Sequence, residues 1–150
     1  MLDKNGREMV TGDVVLIRNA YFKNDNGLWF IDRSPGDPSW SGRDYSLKKL
    51  LKNGKISTAK RNICFWPIGV FINDPWKKAD AKEHNRKYAT IEVVDGIDRS
   101  EIAAHFRGEA AGYEESLRRA CWDFGKDSED AKRYRGYRDY LTAVANRITA

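Results

Sequence analysis

The sequence predicts an α+β chain, strand-rich up to about residue 75 and helical beyond it, with the helical part ending in a hairpin of helices. Three observations carry this. Residues 1–75 contain runs of four or five apolar residues, β-branched or aromatic and bounded by Gly, Pro, Asn or Asp, which is the pattern of short strands. From residue 110 onward the apolar positions recur at steps of three and four, the spacing of amphipathic helices. The 150 residues, 41% hydrophobic with five Trp, seven Tyr and six Phe, suit one domain, or a small domain with an appendage, that buries a core without a disulfide framework.

The first run is Val14, Val15, Leu16 and Ile17, opened by Thr11-Gly12-Asp13. The second is Leu28, Trp29, Phe30 and Ile31, after Asn24-Asp25-Asn26-Gly27. Ile63, Cys64, Phe65 and Trp66 form a third, stopped by Pro67, and residues 68–72 a fourth. Residues 34–43 carry two prolines and two glycines and are expected to form a loop. Trp40 within it is costly to leave wet, so it either folds back on the strands or waits for a ligand. Residues 45–51 are ambiguous. Leu47, Leu50 and Leu51 match the spacing of one or two helical turns, and Asn53-Gly54 either ends such a turn or forms a tight hairpin.

In the second half, Pro75 is placed to start a helix over residues 76–87. Thr90, Ile91, Glu92, Val93 and Val94 form a short strand stopped by Asp95-Gly96. Asp98 or Ser100 is the expected cap of the next helix. That helix carries Ala110, Tyr113, Leu117, Ala120 or Cys121, and Phe124 on one stripe, and Gly125 ends it. The last helix, capped by Asp127 or Ser128, carries Tyr134, Tyr137, Leu141, Val144 and Ile148 on its stripe. The short connection makes the two an antiparallel pair.

The opening Gly12-Asp13-Val14-Val15 followed by Gly27-Leu28-Trp29-Phe30-Ile31 resembles the small SH3-like barrels of the KOW and Tudor kind. The resemblance implies an SH3-like β-barrel over residues 7–74, packed against a mainly helical part over 75–150 with its one strand near 90–94. Residues 50–63 are similar to accessory proteins of phages and conjugative elements, which implies a mobile-element setting where small basic proteins include anti-CRISPR-like inhibitors of host defence nucleases.

The net charge is +5, and +4 of it lies in residues 1–75. Within residues 46–61 stand Lys48, Lys49, Lys52, Lys55, Lys60 and Arg61 without an acid among them. A field of one sign draws polyanions, of which nucleic acid is the commonest. Trp40 and Tyr45, in or beside a polar loop, are the aromatic contact candidates, since aromatics beside cations stack bases. Trp29, Phe65 and Trp66 are expected in the core. Arg135 and Arg138, one turn apart on the last helix, form a candidate second polar face.

Several chemistries are disfavoured. Cys64 and Cys121 form no CxxC pair and suit buried apolar positions. His84 and His105 fall in no HExxH, and His105 with Glu109 suits an i,i+4 surface contact. No GxSxG elbow, P-loop or GxGxxG is present, so neither catalytic residues, nor a metal site, nor a cofactor is expected. No apolar run reaches the ~20 residues that cross a bilayer, and no signal pattern opens the chain, so a cytoplasmic setting without membrane contact is expected. The expected function is non-enzymatic binding of nucleic acid, or of a protein surface that holds nucleic acid. The alternatives are a protein–protein inhibitor of a defence nuclease and, third, a small metal-dependent nuclease or hydrolase.

Overall fold

The computed structural model describes residues 1–20, 22–57, 62–64, 75–84 and 88–150, with 62–64 and 75–77 described in backbone only. The strands are β1 (Val14–Arg18), β2 (Gly27–Arg33), β3 (Ser46–Lys49), β4 (Asn62–Cys64) and β5 (Thr90–Val93). The helices are α1 (Pro75–Glu83), α2 (Ser100–Phe124) and α3 (Glu129–Ile148). The α+β class is therefore observed. The chain divides into two compact units, Met1–Asp98 and Arg99–Ala150.

In the first unit the strands form one antiparallel sheet in the order β4-β3-β2-β1-β5. Val15 of β1 lies opposite Trp29 on one side and Val93 on the other, and Ile31 of β2 lies opposite Leu47 of β3. Side chains alternate between the faces of a strand. One face thus collects Val15, Ile17, Trp29, Ile31, Leu47, Ile91 and Val93 into a buried cluster that Met9 and Tyr45 complete. Burying each such side chain contributes about 1.5–3 kcal/mol. Val14 and Phe30, opposite one another on the other face, are fully buried too.

The expected SH3-like barrel is not what forms. Closing a barrel requires the two edge strands to meet. Here β4 and β5 are the edges of an open sheet, and no pairing joins them among the described residues. The outer edge of β5 is already occupied. The Lys4 N–H donates to the Ile91 carbonyl at 2.9 Å, and the Val93 N–H donates to the Asp3 carboxylate at 2.8 Å. An edge covered in this way has no free groups for another strand.

Over residues 45–51, where the leucine spacing suggested helical turns, Ser46–Lys49 form strand β3. Leu47 and Leu50 are buried, but Leu51 is 48% exposed, so the three leucines share no helical face. The backbone of β2 offers a ladder that outweighs the local helical spacing. Phe65, Trp66 and the fourth run at 68–72 lie outside the described residues. Pro75 does begin α1, and the strand near residue 90 is β5.

In the second unit the helix pair forms as expected. Gly125 ends α2, its N–H donating to the Cys121 carbonyl at 3.0 Å. The Ser128 hydroxyl accepts from the Ala131 N–H at 3.2 Å and caps α3, with Glu129 and Asp130 in the first turn against the positive end of the helix dipole. At the start of α2 the expected cap is not used. Arg99 occupies that position and makes no side-chain cap bond. Leu117, Ala120 and Ala131 form a buried cluster, with Cys121 and Tyr134 packed against it. Tyr113 stacks with Tyr134 at 6.2 Å and meets Tyr137 edge-on at 5.2 Å. Phe124, expected on the seam, is instead 68% exposed at its end. Cys121 is only half-buried.

Because Leu117 and Leu141 are both buried, replacing either with Ala is expected to destabilise the protein by about 2–5 kcal/mol, measured by denaturant unfolding. A change below about 0.5 kcal/mol would mean the seam is not packed.

Candidate nucleic-acid interface

The basic segment runs along β3 and on through a tight β-hairpin turn that follows it. The Leu50 N–H donates to the Leu28 carbonyl at 2.9 Å, holding the segment against β2. Beyond that point the chain turns back. The Ser57 N–H donates to the Lys49 carbonyl at 2.9 Å, the Leu51 N–H donates to the Lys55 carbonyl at 2.8 Å, and Leu50 bridges Ile56. The Gly54 N–H closes the turn on the Leu51 carbonyl at 2.9 Å, and Gly54 adopts a φ of +82°. Such a three-residue loop places its last residue in the left-handed region, which glycine enters at no steric cost. A Cβ at Gly54 would also lie 3.1 Å from the Asp98 carbonyl oxygen. Of the two expectations for Asn53-Gly54, the tight hairpin turn is the one observed.

The hairpin sorts the lysines. Lys52 and Lys55 flank the turn and are exposed. Lys48 and Lys49 are adjacent on β3 and so leave on opposite faces of the sheet. Lys48 is half-buried opposite Phe30. Lys49 is committed within the fold: its ammonium donates to the Asn24 carbonyl at 2.7 Å and sits 5.4 Å from the centre of the buried Trp29 ring. Lys60 and Arg61 lie outside the described residues.

Neither aromatic contact candidate stands free. Tyr45 is 5% exposed, part of the sheet core, and its hydroxyl donates to the Met9 carbonyl at 2.9 Å. Burial, reinforced by the carboxylates of Glu8, Asp13 and Asp37, pushes its phenol up to about 12. Trp40 folds back on its own loop. Its indole N–H donates to the Asp44 carbonyl at 2.7 Å, and its ring lies so close to Gly42 that a Cβ there would sit 2.5 Å from it. The loop is fastened at its other end by Asp37, whose carboxylate accepts from the Ser34 N–H at 2.8 Å and from the Thr11 hydroxyl.

Arg135 and Arg138 are likewise engaged. Arg135 donates to the Lys126 carbonyl at 3.1 Å, across the turn between the helices. Arg138 bridges α3 to α2 through Glu114 at 2.7 Å and also meets Asp139 at 2.9 Å. Both carboxylates raise its pKa, so it is a structural cation. His105 and Glu109 form the expected i,i+4 contact at 2.9 Å.

One residue that the sequence reading passed over is Trp122, 90% exposed on α2. The spacing held the signal: Trp122 is one position past Cys121 and falls off the 3,4,3,4 stripe. No helix among the described residues is long and apolar enough to cross a membrane. No protein-family model, curated protein or solved structure matches the chain. The resemblances to KOW and Tudor barrels and to phage accessory proteins therefore find no support, and the open sheet contradicts the first directly.

Tyr45 generates a pH prediction. Its proton is held more tightly in the folded state than in the unfolded state. Its contribution to stability is complete below pH 10, the ordinary tyrosine value, and is lost as the pH climbs to about 12. Unfolding measured across that window is expected to show an alkaline loss of stability that shrinks in Tyr45→Phe. An unchanged alkaline limb would assign the loss to other groups.

Proposed function

We propose that the protein is a non-enzymatic nucleic-acid-binding protein whose contact element is the hairpin that follows β3. The observation that carries the reading is the exposed pair Lys52 and Lys55 at a hydrogen-bonded turn, with Lys48 on the strand that leads to it, in a segment without acids. A hairpin tied to a sheet holds its cations in place at little cost in chain entropy, and each ammonium that meets a phosphate releases counterions. Lys49 stands apart, because its charge serves Trp29 and Asn24.

The reading is tested by the salt dependence of affinity for mixed-sequence single-stranded and duplex DNA and RNA. Changing Lys48, Lys52 and Lys55 together to Gln is expected to weaken binding at every sequence alike and to flatten the plot of log affinity against log salt by about two to three units. Lys49→Gln is expected instead to cost about 0.5–1 kcal/mol of stability through loss of the cation–ring contact, with the salt slope nearly unchanged. Negligible binding by the wild type at low salt would overturn the reading and favour a protein partner, such as the nucleic-acid-holding surface of a defence nuclease.

A further inference from the structure

The C-terminal half of α2 carries an outer face that the helix pair does not use. Leu117 and Ala120 point into the seam with α3 and are buried. Trp122 lies about 140° around the helix from Leu117 at roughly 100° per residue, and it is 90% exposed. A shallow depression lined by Glu115, Arg118, Arg119, Cys121, Trp122 and Asp123 surrounds it. A tryptophan carries the largest apolar side chain, and leaving it in water forfeits most of its burial energy.

The charges around Trp122 indicate what covers it. Arg119 lies one turn before it and Asp123 directly after it. Arg119 touches Glu115 only loosely, at 3.7 Å, and Glu115 is shared with Arg118 at 3.3 Å. Asp123 has no ion-pair partner among the described residues, although Arg119 is four residues away on the same face. The pattern is self-complementary. If two copies of α2 lie antiparallel about a two-fold axis near residue 121, each Arg119 comes level with the partner's Asp123 on the same side of the contact. The two Trp122 rings then meet across the axis. An isologous interface requires this property of one patch, that it fit itself after a half-turn.

We propose that the outer face of α2 around Trp122 is a homodimer interface, formed by antiparallel pairing with a second copy of this chain. Two tryptophans and four charges make a small interface, so the dimer is weak and depends on concentration.

Sedimentation of the full chain, without nucleic acid, tests this independently of the hairpin's function. The wild type is expected to pass from monomer to dimer as its concentration rises through the micromolar range. Trp122→Ala is expected to weaken self-association by at least about tenfold, the usual effect of removing a central aromatic anchor. The decisive arm uses Arg119→Asp and Asp123→Arg, with helix content checked by circular dichroism. Each variant alone places like charges opposite one another and is expected to stay monomeric. An equimolar mixture is expected to form heterodimers, because two acids on one copy then face two arginines on the other. Pairing within a single helix cannot produce that result. A wild type that stays monomeric at several hundred micromolar, a dimer indifferent to Trp122→Ala, or a mixture that stays monomeric would each overturn the proposal. So would a monomer in which Trp122→Ala weakens nucleic-acid binding, which would make the face a base-stacking surface.

Discussion

The first unit depends on the burial of Trp29 at the middle of β2. The indole is fully buried among Val15, Ile31 and Leu47 and their neighbours, so its N–H requires a partner. It finds the Asp25 carbonyl at 2.9 Å, in the short turn that precedes β2. That bond fixes where the turn ends and the strand begins. Register then follows on both sides, with Val15 of β1 and Lys49 of β3 set opposite Trp29. A slip of one residue in β1 would turn Val15 away from the indole, and one in β3 would turn Lys49 to the other face and separate it from the ring.

The position of the basic hairpin is a consequence of that register. β3 must run beside β2 far enough to bring Leu47 opposite Ile31 and Lys49 opposite Trp29. The chain then has Leu50 held on β2 and only a few residues in which to reverse, and Asn53-Gly54 supplies the turn. Lys52 and Lys55 are exposed because the turn is the first place where the segment leaves the sheet. Lys49, inside the register, places its ammonium over the indole ring. Among the described residues, a run of lysines that is uniform in sequence therefore divides into one structural cation, Lys49, the half-buried Lys48, and the exposed pair Lys52 and Lys55.

Much of this was legible in the residues themselves. The strands around Val14–Ile17, Leu28–Ile31 and Ile91–Val93 follow from β-branched and aromatic runs between turn residues. The helix pair follows from the stripes through Leu117 and Leu141, with Gly125 and Ser128 marking the turn. What was not legible depended on contacts distant in sequence. Leu47, Leu50 and Leu51 satisfied a helical spacing, and only the open edge of β2 decides for a strand. The barrel failed for a similar reason, since Asp3 and Lys4 occupy the edge of β5 that closure would need. Tyr45 seemed available for contact because it follows a polar loop, yet its ring completes the sheet core and its hydroxyl is taken by Met9. Arg138, expected on a second polar face, is instead held by Glu114 on the facing helix. Trp122, an aromatic residue off the apolar stripe of α2, was visible in the spacing and is left 90% exposed.

In the proposed function, nucleic acid meets the exposed turn of a hairpin whose base pairs beside Trp29. The most direct measurement is a residue-resolved amide NMR titration of the protein with a mixed-sequence single-stranded oligonucleotide at low salt. The account predicts that the largest shifts fall on the amides of Lys52, Asn53, Gly54 and Lys55, with Lys48 next. The amide of Trp29 and its indole N–H should stay in place. Shifts centred on Trp122, shifts that move the Trp29 indole as much as the turn, or a spectrum indifferent to the oligonucleotide would contradict it.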